Sequence, residues 1–130
     1  MGDLLIVDDD PDIVETLSEI LSVRGHCIRV AANGEEGLER LRDKLPDLVL
    51  LDVEMPVLGG PAMAYRMFLE DMGRECIPIV LLSGIADLPL VAAQTGTPYF
   101  LTKPYSLSQL CALVEQAIRE RIPPQRTADP

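Results

Sequence analysis

The sequence predicts an α/β fold, a doubly wound parallel sheet of five strands, and three observations predict it. Short apolar runs recur five times along the 130 residues. Stretches with helical period separate them. Three of the runs are apolar without alternation, which is how strands covered on both faces read. Strand and helix in regular alternation imply a parallel sheet with helices on both faces.

The elements follow in chain order. Leu4-Leu5-Ile6-Val7 is the first strand. Asp10-Pro11 then offers an N-cap and first turn to a helix striped by Ile13, Leu17, Ile20 and Leu21, with Gly25 as its stop. The weaker run Cys27-Ile28-Arg29-Val30-Ala31 belongs nearer a sheet edge. Leu38, Leu41 and Leu45 form a second helical stripe closed by Pro46, and Leu48-Val49-Leu50-Leu51 is the third strand. Met63, Met67 and Leu69 mark a helix after Gly59-Gly60-Pro61, followed by the strand Ile79-Val80-Leu81-Leu82. The segment Ala86 to Gln94 contains Pro89 and precedes Gly96, so its helix is short. Tyr99-Phe100-Leu101 is the fifth strand, and Leu107, Leu110, Cys111, Val114 and Ile118 give the clearest stripe. Residues 1–121 read as one domain, and 122–130, with three prolines, as a disordered tail or linker remnant.

Composition excludes several classes of function. Hydrophobic residues make up 48% and mean hydropathy is +0.18, enough for a core and too much for intrinsic disorder. Acidic residues outnumber basic ones 21 to 11, a formal charge of −10 that repels a phosphate backbone, so direct nucleic-acid binding is not expected. The longest uncharged run, Leu88 to Thr102, is broken by prolines and a glycine, whereas a membrane span needs about 20 apolar residues. With no basic leader and cleavage site, the expected location is the cytoplasm. Cys27, Cys76 and Cys111 lack metal-type spacing and read as buried or half-buried free thiols. The one histidine, His26 beside Gly25, reads as an exposed bystander and leaves no basis for histidine catalysis within this chain.

The chemistry collects at strand ends. Asp8 and Asp9 follow the first strand, Asp52 the third, Ser83 the fourth, Thr102 and Lys103 the fifth. In a doubly wound sheet these ends form one edge, where ligands bind. Carboxylates about 4 Å apart repel by roughly 4 kcal/mol per pair at an effective dielectric near 20, so converging aspartates call for a cation. Oxygen-only ligands favour Mg²⁺ over zinc. A metal, the Lys103 ammonium and the Ser83 hydroxyl around Asp52 suit an aspartate that accepts a phosphoryl group. Asp10 is the better helix cap, which leaves Asp8 and Asp9 for metal.

Four segments together carry a family resemblance: Ile6-Val7-Asp8-Asp9-Asp10-Pro11; Leu51-Asp52-Val53-Glu54-Met55-Pro56 with Gly60 eight residues past the aspartate; Leu82-Ser83-Gly84; and Leu101-Thr102-Lys103-Pro104. In this order and spacing, over residues 3 to about 120, the chain resembles the receiver domain of bacterial two-component response regulators. The resemblance implies a flavodoxin-like (βα)5 fold with strand order 2-1-3-4-5, and phosphorylation of Asp52 by a phosphohistidine on a sensor histidine kinase or a histidine phosphotransfer protein. It implies that Mg²⁺ is held by Asp9, Asp52 and the main-chain carbonyl of Glu54, with Asp8 acting through water. Ser83 and Lys103 would each meet a phosphoryl oxygen, Ser83 and Phe100 would form the switch, and the Lys103-Pro104 peptide would be cis. An aromatic in a strand also reads as plain core, and Ser83 with Gly84 also reads as a turn.

The chain departs from the family's common pattern at Gly84, Glu54 and Pro98-Tyr99, and Ser83 to Lys103 spans only 20 residues. These departures bear on the fourth helix and its switching role. A downstream protein target or a second copy is expected on the 86–118 face, and a phosphate relay or sink is the alternative output. An aspartate-dependent phosphohydrolase is disfavoured by Glu54 at the position where such enzymes carry a second aspartate. A flavodoxin-type electron carrier is disfavoured by three aspartates where a flavin phosphate would sit.

Overall fold

The computed structural model describes residues 2–55, 57–69 and 77–124. Ten elements alternate: β1 (Asp3–Val7), α1 (Pro11–Val23), β2 (Cys27–Ala31), α2 (Gly34–Asp43), β3 (Leu48–Asp52), α3 (Gly60–Leu69), β4 (Ile79–Ser83), α4 (Leu88–Thr95), β5 (Tyr99–Thr102) and α5 (Leu107–Glu120). The strands are all parallel, in the order β2-β1-β3-β4-β5, the flavodoxin-like arrangement. β2 lies at an edge, and β1, β3 and β4, which carry the uninterrupted apolar runs, lie inside.

Two cores explain why the inner strands lack alternation. Leu5, Val7, Val49, Leu51, Ile79 and Leu81 face α2, α3 and α4, among Leu38, Leu41, Met63, Met67 and Leu88. Leu4, Ile6, Leu48, Leu50, Val80 and Leu82 face α1 and α5, among Leu17, Leu21, Leu110 and Val114. A residue on either side of the pleat is therefore buried, each large side chain gaining roughly 1.5–3 kcal/mol. Tyr99 is fully buried on β5, and its hydroxyl donates to Glu120 Oε1 at 2.8 Å, tying that edge strand to the last turn of α5.

Local sequence sets the helix ends. Asp10 Oδ1 accepts the Asp12 N–H at 3.0 Å, capping α1. At its other end Gly25, at φ 94°, donates to Ser22 O while the His26 N–H donates to Leu21 O, the paired bonds of a Schellman stop. Asn33 caps α2, and Ser106 with Gln109 forms a capping box on α5. Pro89 lies in the first turn of α4, where its missing N–H costs nothing, and the helix runs for eight residues.

Three expectations are corrected. His26 is buried, 7% exposed, because the turn after α1 folds it under α5. Cys27 is exposed on the edge strand, while Cys111 is buried. Leu45 is outside α2 and exposed: Arg29 takes the carbonyls of Arg40 and Lys44, and Lys44 Nζ meets Asp3 Oδ2 at 2.9 Å, which turns the chain away before the stripe can continue. Cys76 and the tail from residue 125 lie outside the described residues. Among those described, no helix is long and apolar enough to cross a membrane.

Candidate functional site

Parallel strands deliver all their carboxyl ends to one edge, and that edge carries Asp8, Asp9, Asp52, Ser83, Thr102 and Lys103. β3, between β1 and β4, places Asp52 at the centre. The Asp8 N–H donates to Ala31 O at 3.1 Å and the Val53 N–H to Leu82 O at 3.2 Å, so the ladder holds the main chain on both sides of the cluster. The Lys103 N–H donates to Ser83 O at 2.8 Å, fixing the start of the β5–α5 loop to the end of β4. The Lys103–Pro104 peptide is cis.

Asp8, Asp9 and Asp52 each offer a carboxylate oxygen within 4.8 Å of the others. Asp8 and Asp52 are buried and Asp9 is exposed. Asp8 Oδ1 accepts the Asp10 N–H at 2.9 Å, whereas its Oδ2 is buried without a hydrogen-bond partner among the described residues. Lys103 Nζ stands 3.7 Å from Asp52 Oδ1 and 4.0 Å from Asp8 Oδ2. One ammonium faces three carboxylates. Burial, followed by the Asp8 charge, therefore pushes the Asp52 carboxyl up to about 6 despite the opposing pull of Lys103. Burial also raises Asp8, with Asp10's N–H and Lys103 working against it.

Ser83, buried at the end of β4, accepts the Ile85 N–H on its hydroxyl oxygen at 3.2 Å. The turn reading and the site reading thus describe the same side chain, since its own proton remains available as a donor. Glu54 is exposed in the loop after β3, its side chain turned to solvent. Phe100 is half-buried and packs on the core beneath α4 with Ile85 and Val91. It is therefore part of that core and also next to the segment that follows Ser83.

One residue of this edge, Tyr105, escapes the reading from pattern, and another, Gly60, has a role beyond its place in the motif. Tyr105, half-buried two residues past Lys103, packs toward α1 and α5, and its phenol is raised by burial and by the charges of Asp8 and Asp52. Gly60 is needed for space as well as for its place in a motif: a Cβ there would lie 2.5 Å from Asp52 O and 3.1 Å from Val53 Cα. The only sequence signals were adjacency to Lys103-Pro104 and the spacing from Asp52.

Residues 4–115 match the family described as the response regulator receiver domain. The chain belongs to that family. The receiver is 30% identical over 120 residues to the transcriptional regulatory protein PrrA of Mycobacterium bovis, covering 91% of this chain and 50% of PrrA. It spans about half the length of the curated relatives it matches. Among solved structures it resembles the receiver domain of NtrX from Brucella abortus, with a TM-score of 0.81, 30% identity and coverage of 90% of this chain and 98% of that one. It also resembles the signal receiver domain of a signal transduction histidine kinase from Syntrophus aciditrophicus, with a TM-score of 0.82, 29% identity and coverage of 100% and 97%. Receivers thus match this chain from both transcriptional regulators and a kinase.

Proposed function

We propose that this receiver takes a phosphoryl group from a phosphohistidine onto Asp52 and signals through a protein surface that responds to the modification. The observation that carries the reading is the setting of Asp52: 7% exposed, at the end of the central strand, 3.7 Å from the Lys103 ammonium and in a cluster of three carboxylates.

The cluster fits Mg²⁺. Its donors are all oxygen, its negative charge exceeds the Lys103 ammonium, and Asp8 Oδ2 is buried without a hydrogen-bond partner among the described residues. Asp9, Asp52 and the Glu54 carbonyl would hold the ion, with Asp8 reaching it through water. When bound, the ion supplies positive charge against the phosphoryl oxygens.

The rest of the chemistry belongs to side chains of this chain. Above pH about 6 Asp52 is ionised, the form that attacks. One carboxylate oxygen bonds to phosphorus as the phosphorus–nitrogen bond of the donor imidazole breaks, and the leaving nitrogen keeps the electron pair. Lys103 Nζ pairs with one phosphoryl oxygen and the Ser83 hydroxyl donates to another. Water attack at phosphorus later releases inorganic phosphate and restores the Asp52 carboxylate. The donor is a sensor histidine kinase or a histidine phosphotransfer protein, and the output is a protein contact on the 86–118 face, with residues 1–121 as the cytoplasmic signalling unit.

The test is incubation with a small acyl phosphate and Mg²⁺, followed by mass spectrometry of the acid-labile adduct. Adduct confined to Asp52 in the wild type and absent from Asp52→Asn is the expected outcome; normal labelling of the variant would overturn the assignment.

A further inference from the structure

At the edge of the sheet opposite the aspartates, where the strands begin, a cavity of about 310 Å³ opens between the turn after α1 and the last turns of α5. Arg24, His26, Glu115, Ile118 and Arg119 line it. Two guanidiniums face one carboxylate. Arg24 Nη1 lies 3.6 Å from Glu115 Oε1, while Arg119 has neither an ion pair nor a hydrogen bond among the described residues. His26 forms an inner wall, buried, with Nδ1 sealed from solvent and without a hydrogen-bond partner among the described residues.

We propose that this cavity binds a small oxyanion, a carboxylate or a phosphate, between Arg119, Arg24 and the His26 ring. Arg119 supplies an unsatisfied fork of donors whose planar geometry matches two oxygens of such a group. With Nδ1 sealed, Nε2 is the ring nitrogen left to meet a ligand. Burial lowers the imidazole's affinity for protons, so His26 serves as a neutral donor. A cation is excluded by the two guanidiniums, and an apolar ligand finds only Ile118. The C-terminal ends of α1 and α5 point toward the cavity, and their carbonyls disfavour negative charge. This opposition weakens the binding of a bare oxyanion. A bound oxyanion would bridge the end of α1 to the end of α5, far from Asp52.

The single histidine makes the test direct. The Hε1 resonance of His26 is followed by NMR at pH 7.5 with chelator present, while inorganic phosphate or acetate is titrated against chloride at matched ionic strength. A saturable shift with phosphate, acetate or both, weakened about tenfold or more in Arg119→Gln, is expected from loss of a charge-assisted pair. Response to phosphate alone or to acetate alone supports the site and names its ligand class. A shift that does not saturate, that chloride reproduces, or that Arg119→Gln leaves unchanged would overturn the proposal. Arg119 is exposed, so its replacement leaves the fold intact, and an unchanged melting temperature checks this.

Discussion

Replacing Asp52 by asparagine should stabilise the metal-free protein, and by an amount that depends on pH. Asp52 has its carboxyl raised from the ordinary 3.8 to about 6, so the folded state holds the proton more tightly than the unfolded chain does. The associated stability is fully present below pH about 4 and is lost as pH rises through about 6. At about 1.4 kcal/mol per tenfold difference in proton affinity, the ionised side chain costs the fold about 3 kcal/mol at pH 8. Asparagine keeps the shape and carries no charge, so it recovers that cost. By the same linkage the gain falls to about half at pH 5 and about a fifth at pH 4. For a domain of this size 1 kcal/mol moves the melting temperature by about 4 °C, so the gain at pH 8 is about 12 °C. The assay is thermal unfolding of both proteins in chelator across pH 4–8. A gain that is absent at pH 8, or that stays constant down to pH 4, would show that holding a buried, ionised Asp52 beside Asp8 is not what strains the site.

Three further outcomes are expected. Saturating Mg²⁺ should raise the wild-type melting temperature, with about 2.7 kcal/mol gained at 100 times the dissociation constant, and Asp9→Ala should remove most of that gain when melts are repeated with and without chelator. Gly60→Ala should destabilise by roughly 2–4 kcal/mol in urea titration, because its Cβ would fall 2.5 Å from Asp52 O; a loss below about 1 kcal/mol would mean that the loop yields. Hydrogen exchange with and without beryllofluoride should differ most at residues 84–105. A change confined to Asp8, Asp9 and Asp52 would instead mark the receiver as a relay or sink.

Strands and site edge were legible because their signals are local. An uninterrupted run such as Leu48–Leu51 means burial on both faces wherever the strand lies, and the acidic, hydroxyl and lysine residues at strand ends need only the parallel topology to meet. What escaped depended on partners distant in sequence. His26 follows a glycine turn and reads as exposed, yet α5, some 90 residues later, covers it. Leu45 continues the stride of Leu38 and Leu41, but Arg29 and Asp3 capture the chain at Lys44 and expel it. Pro89 reads as a breaker and is a starter, because only its place in the first turn decides between the two.

The close approach of Gly60 to the carbonyl of Asp52 divides the site mechanically. The Gly60 N–H donates to Val53 O at 3.0 Å, and the start of α3 sits against the main chain of Asp52 with no room for a methyl group. That side is an anvil. Across from it, among the described residues, Gly84 has only the Lys103 Cβ near the place its own would occupy, at 3.8 Å, and α4 begins without a side-chain cap. The two sides of Asp52 thus differ in packing: the start of α3 is tight against it, and the β4–α4 corner where Phe100 rests has room to spare. The site is a vice with one fixed jaw at α3 and one slack jaw at α4.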